Sequence, residues 1–263
     1  MPENKKEAAY TNSVERAIDI LEFMANCGRS VSVIEISKEF GINRTSVYSI
    51  LKVLTNKGYV RKIEDGRYAL TGRMYEYGQR FRNSFPVVHI ARGIANELHT
   101  DYPCTMNIGM YFYGTHAILM NSINISTEGN RFDRTLGSGQ TFPLHATSLG
   151  KLLLAYMPPI ESKEILMQMD FLPYTAKTVG DPETLKKQMD LAVANGYAVE
   201  ENEFYNNTFC VAAPIFDNTN SVIAACSFTC DIEVAKNQRE KIIADVKRIA
   251  KAISTSLGAT RRV

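Results

Sequence analysis

The segment from Ser32 to Leu70 constrains the fold more than any other part of the chain. In "SVIEISKEFG", Ser32 is placed to cap a helix whose Ile36 and Phe40 form an apolar i, i+4 pair, and Gly41 is placed to end it. After a short turn comes "NRTSVYSILKVLTNKG". Asn43 can cap this helix; Val47, Ile50, Leu51 and Leu54 fall on one face, and Arg44, Thr45, Tyr48, Ser49 and Lys52 on the other. Helix, Gly-containing turn, helix is the helix-turn-helix pattern. Upstream, "SVERAIDILEFMANCG" predicts a further helix capped by Ser13 and stopped by Gly28, with Val14, Ala17, Ile18, Leu21 and Met24 inward. Downstream, "YVRKIEDGRYAL" holds two short β runs around Asp65-Gly66, a strong hairpin cue. Three helices and a hairpin carrying Arg61, Lys62 and Arg67 predict a winged helix-turn-helix domain over 13–70, preceded by a flexible segment over 1–12. A linker helix is expected over 71–85, with Thr71 as its cap and Pro86 opening the next domain.

Charge distribution agrees with this reading. Residues 1–82 carry 14 Lys+Arg against 10 Asp+Glu, and the remainder carries 16 against 18, so the basic excess lies at the N-terminal end. A helix that enters the major groove needs polar groups near its N-terminus, where backbone N–H groups also attract phosphate. Arg44, Thr45 and Ser46 occupy that end. Arginine can read guanine with two hydrogen bonds, and hydroxyls mostly hold phosphates. Arg44, Thr45, Ser46, Tyr48, Ser49 and Lys52, with Arg61, Lys62 and Arg67 of the wing, are therefore the candidate contacts to double-stranded operator DNA.

The remainder, 86–258, mixes periods. "PVVHIARGIANELHTDY" carries Ile90, Ile94 and Leu98 on a helical stripe. "CTMNIGMYF" alternates, with Met106, Ile108, Met110 and Phe112 on one face and Thr105, Asn107, Gly109 and Tyr111 on the other. "HAILMNSIN" is its expected partner strand. Helices are expected near 160–169 and 181–195, the latter opening on Asp181-Pro182 and ending at Gly196. Strands "YAVEENEF", "FCVAAPIF" and "SVIAACSFT" follow, the last two separated by "DNTN", and a helix over 233–257 closes the chain. Helices flanking an antiparallel sheet make the fold class α+β.

Several functions are disfavoured by spacing. Five cysteines without a CxxC pair and four scattered histidines give no expected metal site, and no cofactor is implied. No apolar run approaches the roughly 20 residues of a membrane span, and the polar start "MPENKKEAAYTN" lacks a signal core. A cytoplasmic address and no membrane partner are expected. In "PLHATSLGKLLLAYMP", the Gly150-Lys151 pair lacks the upstream glycine and the Ser/Thr of a phosphate loop. His145 with Cys210 or Ser148 would be the material for a hydrolase. No orienting carboxylate or nucleophile elbow accompanies them, so no catalytic residue is assigned and His145 reads as a packed structural histidine. A DNA-binding architectural protein without an effector is the other alternative.

The ordered motifs "INRTSVYSILKVL", "LHATSLGKLLLA", "GYAVEENE" and "CVAAPIFD" resemble the IclR family of bacterial transcription regulators over about residues 13–258. The resemblance implies a winged helix followed by a GAF-like domain that binds a small organic or aromatic acid. It also implies self-association as dimer or tetramer, and action as repressor or activator. It implies an effector held by Ser148 and Leu149, Glu200, Cys210, Ser227 and Thr229. Leu149 and Glu200 are larger than the small residue and aspartate of a well-studied relative, and Ser49 stands where many relatives carry a basic residue. The residues fit that chemistry: free N–H groups at the start of the helix "SLGKLLLAYM" can receive a carboxylate, and Ser227 and Thr229 share one strand face.

Overall fold

The computed structural model describes residues 3–125 and 137–260, and for residues 3–12 the backbone alone. The chain forms two compact units, Met1–Ser84 and Phe85–Val263.

The first unit holds α1 (Glu3–Cys27), α2 (Val33–Phe40), α3 (Arg44–Asn56), β1 (Val60–Lys62), β2 (Tyr68–Leu70) and α4 (Arg73–Asn83). Local signals fix most of it. Ser32 and Glu35 form a reciprocal capping box on α2, and Gly41 ends that helix at φ 62°. Asn43 Oδ1 accepts from Ser46 N at 2.8 Å to cap α3. At the wing tip Asp65 and Gly66 both take positive φ, 67° and 70°, as the turn requires. Val31 bridges to Tyr68 and so adds a third short edge to the β1–β2 pair. Ile20, Met24, Ile36, Val47, Leu51 and Val60 pack the core.

Two expectations about α1 are corrected. Its backbone is helical from Glu3, so Ser13 lies inside the helix and does not cap it, and residues 3–12 of the segment expected to be flexible are helical; Met1 and Pro2 lie outside the described residues. The extension carries no apolar stripe, which is why periodicity missed it. Val14 and Ile18 do not join the core: they are 56% and 51% exposed, and the buried contacts come from Ile20 and Met24. Thr71 also stands one place outside its expected role. Gly72 occupies the cap of α4, while Thr71 Oγ1 donates to Gly58 O and accepts from Arg73 N.

Among the described residues, the second unit is built on one antiparallel sheet of six strands, in the order β5-β4-β3-β8-β7-β6. The strands are β3 (Cys104–Tyr113), β4 (His116–Ile125), β5 (Thr141–Pro143), β6 (Ala198–Glu201), β7 (Thr208–Phe216) and β8 (Val222–Asp231). α5 (Pro86–Asn96) and α9 (Ile232–Ser256) cover one face through a core that includes Met106, Ile108, Cys226, Phe228, Ile242 and Val246. α6 (Ser148–Ala155), α7 (Pro159–Met167) and α8 (Pro182–Asn195) cover the other, through Leu119, Phe142, Leu152, Leu153, Ile165 and Leu185. This is the expected α+β class. Both faces of β3 are therefore buried along most of its length, so the polar residues of the alternation face a second layer of protein and not water. Phe112 breaks the expected inward set. It is 55% exposed, beside a register shift between Tyr111 and Tyr113 that turns the strand end out. The strand expected over 197–204 stops at Glu201, where Asn202 turns the chain at φ 58°.

Candidate functional site

α6 is buried along nearly its whole length, and its sequence explains how it fits there. A Cβ on Gly150 would lie 2.5 Å from Leu144 Cα and 2.6 Å from Leu144 O, so only glycine permits this approach. Lys151 is fully buried and pairs with Glu203 through a short Nζ–Oε1 contact. Burial pushes the lysine down and the glutamate up, and their mutual attraction opposes both shifts. The Gly-Lys pair is thus a packing and ion-pairing device. Nothing in its local spacing reveals Glu203 as the partner.

The start of α6 opens on a cavity. Thr147 caps the helix: its Oγ1 accepts from Gly150 N at 3.1 Å and its carbonyl from Lys151 N at 2.9 Å. The N–H groups of Ser148 and Leu149 are the two of the first turn with no acceptor among the described residues. Both residues border a cavity of about 50 Å³ whose lining also includes Leu119, Phe142, Phe204, Tyr205 and Thr208. The sheet supplies its floor, and strand register sets the polar row: Glu200 pairs with Cys210, Cys210 with Thr229, and Asn107 with Ser227. All six residues expected at an effector site, Ser148, Leu149, Glu200, Cys210, Ser227 and Thr229, border this one cavity.

Glu200 is held firmly there. Its Oε1 accepts from Glu203 N at 2.5 Å and Phe204 N at 3.2 Å, so the carboxyl anchors the turn after β6. Burial raises its pKa above the ordinary glutamate range despite these bonds. Cys210 Sγ donates to Thr229 Oγ1 at 3.3 Å, and burial beside Glu200 raises the thiol well above its usual value. Asn107 also borders the cavity and was not among the candidates. It reads in sequence as one of the polar residues of an alternating strand; only the pairing of β3 with β8 brings it beside Ser227.

His145 lies outside this set. It is buried, its Nε2 hydrogen-bonds Leu172 O at 3.1 Å, and its ring packs on Phe171 and Tyr174. Burial lowers its pKa. Among the described residues, no group of three or more His, Cys, Asp or Glu side chains is placed to hold a metal ion.

In the first unit, Arg44, Thr45, Tyr48, Ser49 and Lys52 are exposed on α3, with Ser46 half-buried beside the cap. Ser49 Oγ is turned back to Thr45 O at 3.1 Å. Arg61 and Lys62 are exposed on the wing. Arg67 is placed differently. Its guanidinium donates to Ser30 O at 2.7 Å and Glu35 Oε2 at 2.9 Å, tying the wing to the start of α2. Hydrogen bonds from Ser32 and Arg29 hold Glu35 at about 2, so this acceptor is charged at neutral pH.

Two family models match this arrangement: "IclR helix-turn-helix domain" over residues 13–64 and "Bacterial transcriptional regulator IclR C-terminal" over residues 79–255. The chain belongs to the IclR family of bacterial transcriptional regulators. As an IclR-family regulator it carries a DNA-binding helix-turn-helix domain and a C-terminal effector domain. It is 28% identical to the HTH-type transcriptional regulator XynR of Escherichia coli K12 over 253 residues, 94% of this chain and 97% of that one. It is likewise 28% identical to the HTH-type transcriptional regulator KdgR of Dickeya chrysanthemi, over 96% of this chain and 82% of that one. The crystal structure of the Thermotoga maritima IclR superposes with a TM-score of 0.71 at 26% identity, covering 95% of this chain and all of that chain. An IclR homolog from Microbacterium hydrocarbonoxydans, crystallised with 4-hydroxybenzoate, shares the fold with a TM-score of 0.72 at 18% identity, over 93% of this chain and 98% of that one. Among the described residues, no helix is long and apolar enough to cross a membrane.

Proposed function

We propose that this IclR-type regulator binds operator DNA through α3 and the wing, and that a small carboxylate-bearing metabolite in the cavity at the start of α6 changes that binding. The observation that carries the second half is the pair of unused N–H groups, on Ser148 and Leu149, opening into a cavity whose floor bears Ser227 and Thr229. Helix N-termini attract anions through such groups and the helix dipole. An apolar wall with a few convergent polar groups is the usual make-up of a small-molecule pocket. The 4-hydroxybenzoate complex of the Microbacterium homolog supplies a first probe acid.

On the DNA side, Arg44, Thr45, Ser46, Tyr48, Ser49 and Lys52 form the reading face, with Arg61 and Lys62 reaching phosphate from the wing. Arg67 acts chiefly by fixing the wing through Glu35 and Ser30. Exposed Val14 and Ile18 on α1 favour self-association, which would present two α3 helices to a near-palindromic site in the cytoplasm. A catalytic role has less support. His145 is bonded to Leu172 O and Cys210 to Thr229, so neither is arranged as a base beside a nucleophile.

The test is a thermal-shift panel of small acids on the whole chain, followed by footprints with the acids that bind. A ligand that binds only the folded state stabilises it by about 2.7 kcal/mol at a hundredfold excess over Kd. The paired variant Ser227→Ala, Thr229→Val should lose that shift. Retention of the full effector response by this variant would remove the sheet floor from the site.

A further inference from the structure

The hydrogen-bond directions around Asn107 fix which kind of ligand group the cavity floor can receive, an inference that rests on the effector reading above. Asn107 is buried on β3 and spans two hydroxyl residues on either side. Ser122 Oγ donates to its Oδ1 at 2.8 Å, and its Nδ2 donates to Thr229 Oγ1 at 3.2 Å. Hydroxyls alone would leave the amide free to flip, because each can donate or accept. The deciding group is Thr105 O, 3.4 Å from the same Nδ2. A backbone carbonyl only accepts, so the NH2 end of Asn107 must point toward Thr105 and Thr229.

Thr229 Oγ1 therefore accepts from Asn107. Cys210 Sγ lies 3.3 Å from the same oxygen, and its one thiol hydrogen is shared between Thr229 and the Glu200 carboxyl. A hydroxyl has two lone pairs and one hydrogen. Because Asn107 Nδ2 holds one of those lone pairs, the Thr229 hydrogen must turn away from the amide, and Thr229 borders the cavity. The start of α6 borders the same cavity, and the backbone groups of Ser148 and Leu149 without a partner among the described residues are N–H donors. Floor and helix start thus both present donors to the same space.

We propose that Asn107 is a specificity-determining residue of the effector cavity: by occupying an acceptor site of Thr229 it sets that hydroxyl as a donor, and so selects ligands that present acceptor oxygens, above all a carboxylate. Asn107 acts through Thr229 and does not have to touch the ligand itself. An aspartate at this position would reverse the arrangement. It still accepts from Ser122, but it draws the Thr229 hydrogen toward itself and leaves only lone pairs facing the cavity.

The experiment is a double-mutant cycle on the full-length chain, using propionate, benzoate and 4-hydroxybenzoate with their primary amides as probes, read by calorimetry and thermal shift. In the wild type each acid that binds should do so at least tenfold more tightly than its amide. Asn107→Asp should weaken the acids by tenfold or more and remove the preference over the amides. The added negative charge contributes to that loss by itself, so the decisive comparison is made in a Thr229→Val background. There the hydroxyl is gone, and Asn107→Asp should cost the acids several-fold less than it does in the wild type. An equal loss with and without the Thr229 hydroxyl would assign the effect to charge alone and overturn the proposal. Should Asn107→Asp fail to fold, Thr229→Val by itself still decides: the account requires a larger loss for acids than for amides, and equal losses would overturn it. Failure of every probe acid to bind the wild type would overturn the effector reading and this inference with it, whereas acid binding with an unchanged preference in Asn107→Asp would overturn this inference alone.

Discussion

Replacing Gly150 by alanine tests the packing that holds the start of α6 in place. By helix propensity the change is favourable, by about 0.8–1 kcal/mol. By geometry it is not. The new Cβ would lie 2.5, 2.6 and 2.8 Å from Leu144 Cα, O and C, against the roughly 3.5–4 Å at which carbon atoms make good contact. The atoms met are backbone and cannot rotate away. Leu144 is fully buried and its N–H is bonded to Thr115 O at 3.0 Å, while α6 is enclosed by the sheet and α8. Relief requires about 1 Å of movement between two buried segments. Overpacking of this kind costs about 1–3 kcal/mol, and rigid backbone on one side places it at the upper end. After the propensity gain the net loss is about 2 kcal/mol, or a fall of about 4–8 °C in Tm for a domain of this size. Scanning calorimetry of the full chain, following the transition of the second unit, measures it. A Tm equal to or above that of the parent would refute the reasoning, since propensity alone predicts stabilisation.

Three further outcomes follow from the same contacts. Lys151→Met should destabilise by about 3–5 kcal/mol because it leaves Glu203 buried without its cation, and Lys151→Met with Glu203→Leu should regain most of that in urea unfolding; equal losses in single and double variants would contradict the ion-pair reading. The buried Glu200 carboxyl has a pKa raised above its ordinary 4.5, so the stability it contributes is full below that value and is lost as pH rises through the raised folded value. Glu200→Gln, which keeps the acceptor for Glu203 N and Phe204 N, should match the parent near pH 4 and exceed it at pH 8; a gap that does not change with pH would remove the titration from the account. Arg67→Ala should lower the Tm of the first unit with little change in the salt dependence of operator binding, whereas Lys62→Ala should reduce the slope of log K against log salt by about 1.

The parts legible in the sequence were those written locally. Ser32, Asn43 and Asp181 each cap the helix that follows them, and Asp65-Gly66 turns the wing, because caps and tight turns involve neighbours in sequence. Of the six residues expected at the effector site, Glu200, Cys210, Ser227 and Thr229 are aligned by period-two geometry along β8 and its register with β7 and β6, and Ser148 and Leu149 join them from the first turn of α6. What sequence did not reveal depends on contacts that the tertiary fold makes. Lys151 meets Glu203, Gly150 meets the backbone of Leu144, and Asn107 meets Thr229, and none of these pairs leaves a periodic trace. The errors in α1 have a related cause. Val14 and Ile18 follow a helical stripe but stay exposed among the described residues, while residues 3–12 continue the helix without any stripe to announce it.

The central claim is that an acid docks on the start of α6. The most direct measurement is the 15N–1H spectrum of the protein, with the amides of Ser148 and Leu149 assigned, as 4-hydroxybenzoate or another acid that alters operator affinity is titrated. The account predicts that both amide protons move downfield together, saturating at the affinity measured for the DNA effect. An acid that changes operator binding while these two amides stay unchanged would contradict it.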